Sequence, residues 1–137
     1  MAHKEIQYSG KFDALGLAAQ DVATTTKTGN FWGLGNAKSA LFVVVIGAYT
    51  AAVTLKVLQG TATGTTGGTT KAVSGKTTTL GSGDANSIKL IEVEDSELDV
   101  ADGYNSVALQ ATAAGGGALL GAACIRTALR YEHGYIT

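Results

Sequence analysis

The run from Ala40 to Gln59 constrains this chain most. Its first half holds Leu41, Phe42, Val43, Val44, Val45 and Ile46 in succession and breaks at Gly47. Its second half alternates, with Val53, Leu55 and Val57 on one side and Thr54 and Lys56 on the other. Continuous β-branched and aromatic residues, followed by period-two alternation, describe two long strands and not a helix. The run's uncharged stretch, Ala40 to Leu55, is 16 residues. A helix needs about 20 to span a bilayer, so no membrane span is expected.

The rest of the chain follows the same pattern. Ser87 to Val93 alternates, with Ile88 and Leu90 opposite Lys89, Ile91 and Val93. Asp102-Gly103 marks a turn. Ser106 to Thr112 sets Val107, Leu109 and Ala111 against Ala108 and Gln110, and Gly115 to Gly117 reads as a hairpin loop. Ala118 to Ala128 returns as a last strand, with a helix at Ala118–Ala123 as the rival, because alanine favours helices. Asp21 to Thr28 reads as an exposed strand before the Gly29-Asn30 turn. With 19 Gly, 18 Thr and no Pro among 137 residues, half-buried pleated faces and glycine turns are well supplied. The expected fold is all-β: one antiparallel β-sandwich or barrel, jelly-roll-like, over residues 21–137. Residues 1–20 are expected to form an N-terminal arm or a short edge strand. Gly60 to Asn86 is expected to be a long Gly/Thr loop with at most a short strand near Lys76–Thr79. Alternation places Leu41, Val43, Val45, Val53, Leu55, Val57, Ile88, Leu90, Val107, Leu109, Leu119 and Ile125 in the core.

The net charge of −1 gives no drive toward nucleic acid or a membrane surface. The charges are nevertheless segregated. Val22 to Gly83 carries Lys27, Lys38, Lys56, Lys71 and Lys76 and no acid, whereas Asp84 to Asp102 carries seven acids against Lys89. The two segments can pair within a subunit or between subunits, or remain solvated faces.

No catalytic or cofactor motif is expected to operate. Gly75-Lys76-Thr77 resembles the end of a phosphate-binding loop, but Thr70 stands where its first glycine is required. Cys124 is the only cysteine and lies among alanines, as a buried inert thiol would. His3 and His133 lie at opposite ends of the chain. Glu92, Glu94, Asp95, Glu97, Asp99 and Asp102 lack the spacing of a calcium loop and read as a solvated acidic edge. No enzyme activity, cofactor or metal is therefore expected.

Four stretches resemble small virion structural proteins of tailed bacteriophages. These are Val53 to Gly60, the Gly/Thr tract leading into Lys71 to Lys76, Glu97 to Tyr104, and the closing strand running into Arg130 and Tyr131. Together they cover roughly residues 40–131. The resemblance implies a capsid decoration, or cement, protein on the virion surface, made in the host cytoplasm. Its partner would be the major capsid protein, and it would be a homo-oligomer, a trimer before a dimer. The expected contacts with shell or neighbouring subunit are Ile6, Tyr8, Phe12 and Leu15 on the arm and Lys71 and Lys76 on the loop. Other virion parts, such as a head–tail connector, tail tube or head-fibre base, are alternatives. So is a carbohydrate-binding sandwich, which would show exposed aromatics on one face.

Overall fold

The computed structural model describes residues 10–21, 26–35, 37–81, 83–114 and 118–127, with the backbone alone over 10–21. Nine strands follow in order: β1 (Gly10–Asp21), β2 (Thr26–Thr28), β3 (Trp32–Gly33), β4 (Ser39–Tyr49), β5 (Val53–Gly60), β6 (Thr70–Leu80), β7 (Ser87–Glu94), β8 (Ser106–Ala113) and β9 (Ala118–Thr127). One sheet has the order β1-β9-β4-β7 and the other β2-β8-β5-β6, with β3 also pairing β8. All pairs are antiparallel.

With β3 set aside, each strand except β6 lies in the opposite sheet from the strand before it, and the pairing is nested. β5 pairs β6, β4 pairs β7, β2 pairs β8 and β1 pairs β9. Two further ladders, β5–β8 and β4–β9, close the nest. With β3 set aside, this is the eight-stranded double-sheet connectivity of a jelly roll. The all-β sandwich expected from the alternating runs is the fold observed.

The core lies between the sheets. Phe42 and Val44 from the first sheet meet Val53, Leu55, Val57, Val107 and Leu109 from the second, all fully buried. Side chains of both inner faces interdigitate over the roughly 10 Å that separates packed sheets. Two of the polar side chains enclosed at the margin find partners, whereas the buried Trp32 indole N–H has none among the described residues. Ser106 turns its hydroxyl to the carbonyls of Gly60 (3.0 Å) and Ala62 (2.6 Å). The buried Gln59 accepts from the Asp99 N–H at 2.9 Å. Arg126 spans the sandwich at one end, donating to the Gly33 carbonyl (2.9 Å) and lying over the Trp32 ring.

Three expectations are corrected. First, the Gly60–Asn86 loop contains an eleven-residue strand, β6. Its threonines suit a pleated edge, which leaves two short connections in place of one long loop. Second, Gly10–Asp21, expected within an arm or as a short edge strand, is a twelve-residue edge strand. Third, Val53, Leu55, Val57, Val107 and Leu109 are in the core as expected, but Leu41, Val43, Val45, Ile88, Leu90, Leu119 and Ile125 are not among its buried residues. The inward set on β4 is Ala40, Phe42, Val44 and Ile46. One face was exchanged for the other because both are apolar, and alternation alone carries no sign. Ala118–Ala123 is strand and not helix.

Candidate functional site on the outer face of the first sheet

The exchanged residues lie together. On β4, Leu41, Val43 and Val45 point away from the core. Their neighbours on β7 are Glu92, Leu90 and Ile88, and on β9 they are Ile125, Ala123 and Gly121. Three cross-strand rows result, and only Glu92 among their side chains is polar. Val45, Ile88, Leu90 and Leu119 are 57%, 61%, 64% and 54% exposed. Three strands at about 4.8 Å spacing give a surface about 14 Å wide, before β1 is added. Phe12 of β1 is the ladder partner of Ile125. A contiguous aliphatic surface of this kind is a mark of an interaction site on a globular domain.

Leu119 faces outward by the alternation of β9, and Gly47 at the β4 bulge leaves room beside it. Gly47 leaves no side chain there, and a Cβ at Gly47 would meet the Leu119 carbonyl at 3.2 Å and its Cβ at 3.3 Å. The close approach extends the apolar surface past the end of the regular β4–β9 ladder.

Two lysines of the basic segment pair with the acidic one, and the acidic segment's own Lys89 pairs within it. Lys71 binds the Asp99 carboxylate and lies 4.6 Å from the Tyr104 ring centroid. Lys76 lies 3.3 Å from Glu97, and Lys89 lies 2.9 Å from Asp84. The first two pairs tie β6 to the turns at Asp95–Glu97 and Val100–Asp102. The hydrogen bond to Asp99 holds the Lys71 ammonium above its ordinary pKa. The hydrogen bond from Lys89, helped by the Gly81 N–H, holds the Asp84 carboxyl below its ordinary value. Lys71 and Lys76, expected to meet a shell, are thus engaged with the chain's own acids.

The other expected contacts divide. Ile6 and Tyr8 lie outside the described residues. Phe12 and Leu15 belong to β1, where Leu15 falls in a break of register between Asp13 and Leu17. His3, His133, Arg130 and Tyr131 also lie outside the described residues. Cys124 is buried, as its sequence context suggested. Among the described residues, no three or more His, Cys, Asp or Glu side chains gather where a metal ion could be held. No helix among them is long and apolar enough to cross a membrane.

No family model, curated protein or solved structure matches the chain. The signal of the outer face was present in the sequence as apolar residues on both parities of Leu41 to Ile46 and of Ile88 to Val93. Two-sided apolar alternation in a sandwich strand marks the face away from the core as a candidate interaction surface.

Proposed function

We propose that this chain is a structural protein of a tailed-bacteriophage virion, of the capsid decoration type, and that the outer face of the β1-β9-β4-β7 sheet seats it on the protein shell. The observation that carries this reading is the aliphatic surface built from Leu41, Val43, Val45, Ile88, Leu90 and Leu119. Jelly rolls serve viral capsid and lectin domains alike, so the fold by itself does not choose between them. The chemistry of the face favours protein. The large hydrophobic side chains exposed among the described residues are aliphatic, with no aromatic platform for a sugar ring. Flat aliphatic surface gains free energy by leaving water against another apolar surface, and needs no cleft. Repeated copies, as a homo-oligomer on a symmetric shell, multiply weak contacts into firm attachment.

The test uses phage heads assembled without this protein. Wild-type protein is expected to sediment with them. The double variant Val45→Lys with Leu119→Lys, which places two charges on exposed positions, is expected to lose at least tenfold in affinity. Binding of the variant as tight as wild type, or failure of wild type to bind heads, would overturn the reading.

A further inference from the structure

Each sheet of the sandwich ends in edge strands, and an unpaired edge is a template for another chain unless it is blunted. Three of the four edges are blunted. β1 breaks register against β9 twice. β2 has three residues. β6 breaks register where Val73 to Lys76 oppose Val57, around Gly75 at φ +77°. The fourth edge, β7, keeps an unbroken register with β4 from Ser87 to Glu94 and contains no proline. Its one lysine, Lys89, is no free guard, because its ammonium is bound to Asp84.

The hydrogen-bonding phase of this edge follows from its end. Asp95 donates its N–H to the Lys38 carbonyl at 2.8 Å, continuing the β7–β4 ladder. Residues alternate along an antiparallel ladder. Counting back in twos, Val93, Ile91, Lys89 and Ser87 turn their backbone groups to β4, and Ile88, Leu90 and Glu92 turn theirs outward. The outward N–H of Glu94 is already held by the Glu97 carboxylate at 2.8 Å. Among the described residues, the open stretch is therefore Ile88 to Glu92, with Leu90 at its middle.

We propose that β7 pairs antiparallel with β7 of a second copy of this chain, about a two-fold axis through the sheet at Leu90. Charge selects the register. Centring on Lys89 or on Glu92 would set two like charges directly opposite, which is destabilising, and centring on Ile91 would bring the two Glu92 carboxylates onto a diagonal. Centring on Leu90 brings onto a diagonal only the two Lys89 ammonium groups, each already paired with its own Asp84. Centring on Leu90 sets Leu90 against its counterpart, Ile88 against the counterpart of Glu92, and Lys89 against the counterpart of Ile91. Outward N–H and C=O groups then meet in about six hydrogen bonds. The contact is isologous, as a two-fold requires. A three-fold ring would need a second, different edge to receive β7, and the other three are blunted. Pairing leaves the outer faces of both copies side by side in one sheet, doubling the aliphatic platform. The inference does not depend on the virion reading.

Light scattering at tens of micromolar decides it. Wild type is expected at twice 13.8 kDa. Leu90→Pro removes an N–H that faces outward and is tolerated at an edge, so it is expected to give a folded monomer with an unchanged circular dichroism spectrum. If that variant fails to fold, Leu90→Lys decides, because it sets two ammonium groups together at the axis of a residue already 64% exposed. Val45→Lys, on the outer face and away from the edge, is expected to remain a dimer. A monomeric or trimeric wild type overturns the proposal. So does a dimer that Val45→Lys dissociates and Leu90→Lys leaves intact.

Discussion

Single residues carry sharply different loads in this sandwich. Gly67 has φ +68°, and a Cβ there would stand 2.6 Å from the Phe31 ring. Phe31 is itself buried. Gly67→Ala therefore combines left-handed strain with overpacking, and is expected to cost about 2–4 kcal/mol in urea unfolding. Gly75, at φ +77° with open space around it, meets only the strain, so Gly75→Ala is expected to cost about 1–2 kcal/mol. Equal costs at the two positions would mean that Phe31 yields to the added methyl. Asp84 makes a different prediction. Its carboxylate accepts from Lys89 (2.9 Å) and from the Gly81 N–H (2.7 Å), which depresses its pKa. A depressed carboxyl contributes stability above its unfolded pKa, about 3.9, and loses it as pH falls through the folded value. An NMR titration is expected to place the Asp84 midpoint below the ordinary carboxylate range, and Lys89→Met is expected to raise it. An identical midpoint in both proteins would remove the ion pair as the cause.

At the scale of the element, most strands were legible, and their facing only where polar residues marked one side. The period of two in Val53 to Val57 and in Ser106 to Thr112 located β5 and β8 and their buried faces, because Thr54, Lys56 and Gln110 mark the other side. In β4 no polar residue interrupts Leu41 to Ile46, so two phases fitted equally and the wrong one was preferred. In β7, Ile88 and Leu90 outweighed Ile91 and Val93, yet Val93 is fully buried and Leu90 is 64% exposed. Facing there is set by which residues the opposite sheet can reach, a long-range fact that a local window does not contain. Alternation was also too quiet in β6, where threonines and lysines gave no apolar face to recognise. The phase of β4 can be checked directly. Phe42→Ala is expected to cost about 3–5 kcal/mol, and Val45→Thr to stay within about 0.5 kcal/mol, both from chemical denaturation. The reverse order would put the core on the other side of the strand. The candidate site was legible only as an excess of apolar residues, and its residues had been assigned to the interior.

For the whole molecule, the nested ladder has a consequence for how the chain is made. The innermost pair, β5 with β6, is joined by the nine residues 61–69, whereas β1 at the outside waits for β9. A ribosome delivers β1 first and its partner last. At about 5–20 residues per second, β1 spends roughly 5–20 s of synthesis without the strand that will satisfy its backbone. The same holds for β4, which meets β7 early but β9 only at the end. Until then the aliphatic side chains on both surfaces of β4 are open to whatever is nearby. Nascent copies on one message are the nearest neighbours, so crowding on the polysome is where this architecture is most exposed to misassembly, and a chaperone that shields β4 before β9 emerges would have its largest effect there.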